Sequence, residues 1–228
     1  MDMKIRITLQ EEMLGTKPED PTVFATYIAS LSEDLVKATE ENGVAQENET
    51  PEETEAVKRE RVGSSIFHKM EDGNPFMWDY EFKGMFKDAA GAMNRMDKDF
   101  RGGEEKLSAF KTKIDGLVFI FPRKIRLNLP SGMKLGRCER PLRAETAQGP
   151  RVTLARSEAA PAGTTIELTI KVLSKDLVKW VRMWLDYGAL RGLGQWRNSG
   201  KGRFTWEEIP NPDAVIPNPV IPPEKATA

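Results

Sequence analysis

The chain has 228 residues and a formal net charge of −1, with 39% apolar and 30% charged residues, a balance that suits one good-sized or two small globular domains. No apolar run approaches the roughly 18 residues of a membrane helix, and the opening MDMKIRITLQ lacks the apolar core of a signal peptide, so a cytoplasmic protein without membrane contact is expected. One cysteine (Cys138) and one histidine (His68) leave no intramolecular disulfide and no zinc site of the usual Cys/His kind, and no cofactor is expected.

MKIRITLQ alternates Ile5, Ile7 and Leu9 with polar residues, the pattern of a half-buried strand. The stretch that follows carries Val23, Phe24, Tyr27, Ile28, Leu31 and Leu35 at helical spacing, with Pro21 just inside its start, and predicts a helix. Residues 42–60 are acidic and poor in large apolar groups, as in a flexible insertion or an exposed helical arm. SSIFHKMEDGNPFMWDY reads as two short extended pieces around the turn Asp72–Gly73–Asn74–Pro75. YEFKGMFKDAAGAMNRM aligns Phe82, Met85, Phe86, Ala89 and Met93 along one helical stripe. GLVFIF is a continuous apolar run of strand formers and predicts a central strand, after which KIRLNLP alternates Ile125, Leu127 and Leu129. RPLRAETAQGPRVTLARSEAAP suggests a hairpin or long loop turning at Gly149–Pro150, and TTIELTIKVL points Ile166, Leu168, Ile170 and Val172 inward. SKDLVKWVRMWLDYG predicts a second helix, capped by Ser174, burying Leu177, Val178, Val181, Trp184 and Leu185, and stopping at Gly188. RFTWEEI is a last strand, and residues 210–228, with six prolines, predict an extended polyproline-like tail.

The order strand, helix, several strands, helix, glycine-rich loop, strand fits an α+β domain built on a βαββαβ ferredoxin-like antiparallel sheet with its helices on one face. Residues 1–209 are expected to form one such domain, with the acidic insertion at 42–60 and the tail outside it.

Charge is distributed unevenly. Residues 1–60 hold 6 Lys/Arg against 15 Asp/Glu, a net of −9, whereas residues 121–206 hold 17 against 6, a net of +11. A basic half is the electrostatic footprint of a nucleic-acid binder, although an acidic surface packed on a basic one within the molecule has the same signature. The basic strands place Lys124 and Arg126 on one side of FPRKIRLNL and Arg123 on the other, with Arg137, Arg140 and Arg143 following. Such residues also serve as a charged, solvated sheet edge.

RGLGQWRNSGKGRF, residues 191–204, concentrates four glycines and four cations around Trp196. It is not a P-loop, because five residues separate Gly194 from Gly200 and Gly202 stands where a magnesium-binding hydroxyl belongs. Nor is it a dinucleotide fingerprint, since it follows a helix and opens a strand. Glycines let backbone amides approach a phosphate, Arg191, Arg197, Lys201 and Arg203 supply countercharge, and Trp196 can stack on an unpaired base. The same residue types also build a turn packed on the sheet with Trp196 in the core.

The pattern Gly192, Gly194, Arg197, Gly200, Gly202 resembles the carboxy-terminal glycine-rich loop of the RAMP superfamily, the CRISPR-associated RNA-binding proteins with RRM-like sheets. DYEFKGMFKDAA adds a second echo, Lys83, Gly84 and Lys87 resembling the lysine–glycine start of a RAMP helix, though the serines of that pattern are absent. The chain is also similar to uncharacterised proteins carried by phages and prophages. The resemblance implies RNA or single-stranded nucleic acid held by Arg197, Lys201 and Arg203, with Lys83 and Lys87 extending the track. It implies a metal-independent endoribonuclease as one alternative, for which His68 is the available acid–base group, although a lone histidine more often serves structure. A protein-interaction subunit docking on a larger assembly is the other alternative. Binding without catalysis is the expectation.

Overall fold

The computed structural model of the chain describes residues 1–20, 64–146 and 149–210, the side chains of 142–153 excepted. The expected helix after Asp20, the acidic insertion, the Arg143 side chain and the proline-rich tail beyond residue 210 lie outside what is described.

Period-2 alternation becomes strand β1 (Asp2–Leu9), whose Met3, Ile5, Ile7 and Leu9 are buried while its even-numbered residues face outward. Short strands β2 (Met13–Leu14) and β3 (Lys17–Pro18) follow, then β4 (Ser64–Ile66), β5 (His68–Lys69) and β6 (Pro75–Trp78). Helix α1 (Asp79–Met93) buries the expected stripe of Phe82, Met85, Phe86, Ala89 and Met93. Its first turn is held by Glu81, whose carboxylate accepts the Trp78 backbone N–H at 2.9 Å, the reciprocal half of a capping box. A helix without a sequence signal, α2 (Phe110–Leu117), precedes β7 (Val118–Phe121) and β8 (Lys124–Asn128). A long hairpin of β9 (Gly136–Thr146) and β10 (Gly149–Ala160) leads to β11 (Thr165–Val172), α3 (Lys175–Arg191) and β12 (Phe204–Glu208).

The main sheet runs β12-β1-β11-β8-β6-β5, with β7 beside β11 at the end that β8 leaves open. Every pairing in it is antiparallel. The inward residues of β1, β8 and β11 meet the apolar stripes of α1 and α3 in one core, where the rings of Phe86 and Trp184 lie 5.7 Å apart. Both helices therefore cover one face of this sheet, and its other face carries polar side chains such as Lys4, Arg6, Lys124, Arg126 and Glu167. A second sheet, β2-β10-β4-β3 with β9 on β10, adjoins it.

Three local expectations are corrected. GLVFIF is split, Gly116 and Leu117 closing α2 and only Val118–Phe121 forming a strand, which among the described residues pairs with β11 alone and so is not central there. Gly149 and Pro150 already pair within the hairpin, opposite Thr146 and Glu145. Gly188 does not end α3, which continues to Arg191. It is instead the point of close packing, because a Cβ there would lie 2.6 Å from Met85 Sδ and 3.3 Å from Phe204 Cζ. The stop falls at Gly192, whose φ of +86° suits glycine.

Candidate nucleic-acid interface

The loop between α3 and β12 is an ordered structure pinned at several points. Leu193 N–H donates to Gly202 O at 3.0 Å, Gly202 N–H to Glu12 O at 2.8 Å, and Gln10 N–H to Arg203 O at 2.8 Å. Gly192, Gly194, Gly200 and Gly202 all have positive φ, between +71° and +88°. At Gly194 the backbone is also crowded, since a Cβ would lie 2.5 Å from Leu14 O. At Gly202 it would overlap Leu193 O. These glycines thus bring the loop against itself and against β2.

Three of the four loop cations, Arg191, Arg197 and Lys201, have acidic partners within the fold. Arg197 Nη1 donates to Asp88 Oδ2 at 3.0 Å, and Arg191 Nε lies 3.6 Å from the same carboxylate oxygen. Lys201 pairs with Glu12, and that bond raises the lysine's pKa above its ordinary value. Arg191 Nη1 also donates to Asn198 Oδ1 at 2.6 Å, and Arg203 spends Nε on Leu190 O at 3.2 Å while its side chain stays exposed. Part of the charge asymmetry of the sequence is therefore answered inside the molecule. Each guanidinium still has unspent N–H donors, because the group offers five.

Trp196 is 42% exposed and takes φ = +55°, a left-handed backbone that bulky residues avoid. It is neither a core residue nor a free one. The Arg140 guanidinium lies 4.9 Å from its ring centroid, and Arg140 Nη2 donates to Gln195 Oε1 at 3.3 Å.

The face of α1 that meets this loop carries Glu81, Gly84, Met85 and Asp88, spaced as one helical stripe. Together with Thr16, Met77, Gly192, Leu193, Gly194 and Arg197 the first three line a cavity of about 310 Å³. Gly84, from the lysine–glycine helix start, and the glycine-rich loop thus wall the same space. Lys83 and Lys87 leave α1 in another direction: Lys83 Nζ sits 4.9 Å over the Phe119 ring, and Lys87 Nζ is 2.7 Å from Asp115 Oδ1 of α2.

Lys124 and Arg126 share the open face of the sheet, as their parity predicts. Lys124 Nζ lies 5.5 Å from the Phe76 ring and 5.8 Å from the Trp78 ring, and Arg126 pairs with Asp72. His68 lies beside them, tilted against Phe76 at 5.5 Å and edge-on to Trp78 at 5.7 Å, on β5 at the far end of the strand order from β12. Burial, followed by the Lys17 charge, lowers its pKa. Among the described residues it touches no member of the glycine-rich loop.

Reading the sequence alone missed Glu12, Glu81 and Asp88, and it named Arg140 as a basic strand residue without placing it beside Trp196. The spacing of Glu81, Gly84 and Asp88 was available as a signal, but the pairing of Glu12 with Lys201 joins residues 189 positions apart and has no local trace.

No family model matches the chain, and no curated protein matches it. Among solved structures it is similar to a chain of the Type III-B Cmr-beta complex bound to cognate target RNA, at 13% identity and a TM-score of 0.48 over 91% of this chain. It spans 58% of that chain's length. It is similar to a chain of a Type IV-B CRISPR complex at 11% identity and a TM-score of 0.45, covering 98% of this chain and 96% of that one. Cmr6 from Pyrococcus furiosus gives 10% identity and a TM-score of 0.45, covering 92% and 98%.

Proposed function

We propose that the chain binds single-stranded RNA along the glycine-rich loop, without cleaving it, on a ferredoxin-like sheet whose strands run β12-β1-β11-β7/β8 with α1 and α3 on one face. The observation that carries this reading is the shared cavity. Two segments more than a hundred residues apart, the start of α1 and the loop after α3, wall one space with Arg197 on its lining. Those are the two segments whose residues resemble the RAMP superfamily. Arg197 and Arg203 keep donors for phosphate oxygens, and Arg191 stands beside them. Lys201 contributes its positive charge from the Glu12 pair. Lys124 and Arg126, beside the partly exposed Trp78, offer a second contact for a strand leaving the loop.

The test is an anisotropy titration with labelled single-stranded RNA against rising salt. Wild-type affinity falls along a log–log slope of about −0.7 per phosphate contact. Arg197→Ala with Arg203→Ala lowers affinity at least about tenfold and flattens that slope by about one contact or more. Equal affinity and slope in the double variant would remove the loop from the interface, and intact RNA after prolonged incubation is the expected companion result.

A further inference from the structure

The cavity between α1 and the loop has a composition that a phosphate site alone does not need. Glu81 brings a carboxylate into its lining, and an ionised carboxylate only accepts hydrogen bonds and repels phosphate. One oxygen is committed to the Trp78 N–H at 2.9 Å, which fixes the group in place, and the other receives only a long contact from Thr16 Oγ1 at 3.4 Å. Oε2 is thus an oriented acceptor with capacity to spare, half-sheltered from water, in a cavity whose lining also includes the cation Arg197.

Gly84 supplies the second observation. Glycine is among the poorest helix formers, yet it occupies an exposed interior position of α1. The steric reasons that hold for Gly192 and Gly194 do not apply, because no atom lies within 4 Å of where its Cβ would be and its φ is not positive. The missing side chain leaves the helix surface bare at the cavity, one turn from Glu81. At about 310 Å³ the space is at the small end of ligand-pocket sizes.

Resting on the RNA-binding reading above, we infer that this cavity seats a ribose of the bound strand, with its 2′-hydroxyl donating to Glu81 and the neighbouring phosphate on Arg197. A hydroxyl that donates to the carboxylate is the group this acceptor takes, and the 2′-hydroxyl is the group that separates RNA from DNA. Glu81 is then a specificity-determining residue, and Gly84 keeps its approach open.

The experiment compares oligouridylate with its 2′-deoxy and 2′-O-methyl forms on the full chain, by anisotropy at one salt concentration. Wild type binds the ribo form about tenfold more tightly than either analogue, the size expected for one hydrogen bond to a charged group. In Glu81→Ala that ratio falls to about one while affinity for the deoxy form holds or rises, since a repulsive charge has gone. Gly84→Leu sets its Cβ in open space and extends an apolar side chain over the cavity, replaces a poor helix former and so keeps or raises the melting temperature, and also abolishes the preference; it serves where Glu81→Ala weakens the helix start. Equal binding of all three oligomers by wild type, or an undiminished ratio in both variants, overturns the assignment and leaves RNA binding standing. Failure of every oligomer to bind overturns both.

Discussion

Arg197 and Asp88, 109 residues apart, meet at 3.0 Å, and the Arg191 guanidinium reaches the same carboxylate oxygen. Asp88 is therefore the internal counterion of two loop arginines and occupies them as a phosphate does. Asp88→Asn removes that charge and keeps the side chain's shape. RNA affinity at low salt is expected to rise about threefold, with a salt slope steeper by up to about one contact. Stability changes by no more than about 1 kcal/mol, because both side chains are partly exposed. Weaker binding by the variant in the same titration counts against phosphate contact at Arg197.

The four loop glycines are not equivalent. Gly202 combines φ = +71° with a backbone approach to Leu193 that admits no Cβ, whereas Gly200, at φ = +88°, has only the Arg203 guanidinium nearby, 3.7 Å from a hypothetical Cβ. Gly200→Ala pays for the left-handed backbone alone, about 1–2 kcal/mol. Gly202→Ala must also open the loop and is expected to lose about 2–4 kcal/mol. Thermal melts of the two variants distinguish them, and equal losses would mean that close packing at Gly202 contributes nothing.

Most of the sheet was legible, because burial on one side imposes strict alternation. Ile5, Ile7, Leu9, Ile166, Leu168, Ile170 and Val172 are all nearly inaccessible, and the stripes of α1 and α3 follow the same logic at helical spacing. Helix α2 left no such mark, since Ile114 is its one fully buried residue. In the site, the loop and its junction with β12 were legible from glycine and charge, but the end of α3 and the loop's partners were not. Asp88 and Glu12 acquire their roles only when α1 and the β1–β2 connection are folded against the loop. Gly188 misled for a related reason: a glycine inside a helix looks like a stop until the second helix that it admits is in place.

His68 forms a three-ring cluster with Phe76 and Trp78, and burial, then the Lys17 charge, lowers its pKa from the ordinary 6.5. The unfolded chain thus takes up this proton more readily than the folded one. The stability His68 contributes is intact above about pH 6.5 and is lost as pH falls through the lower folded value. His68→Phe keeps a ring in the cluster and removes the titration. Wild-type melting temperature is expected to decline more steeply than the variant's as pH drops below about 6.5. Identical pH profiles would show that this imidazole titrates alike in both states.

Trp196 holds a backbone conformation that glycine adopts without strain, yet the position carries a large, 42% exposed aromatic ring stacked on Arg140. A strained aromatic at a loop apex is explained if the ring meets a ligand, here an unpaired base stacking beside the arginines. Trp196→Gly separates the two roles. The variant relieves the left-handed strain and gives up a cation–π contact of about 0.5–1 kcal/mol, so its melting temperature stays close to wild type. Its RNA affinity is expected to fall at least about fivefold, the lower end of one lost base stack. The melt and the anisotropy titration are run on the same preparation. If affinity holds while the fold loosens, Trp196 serves only to close the loop over Arg140, and the stacked base must be sought elsewhere, at the partly exposed Trp78 beside Lys124.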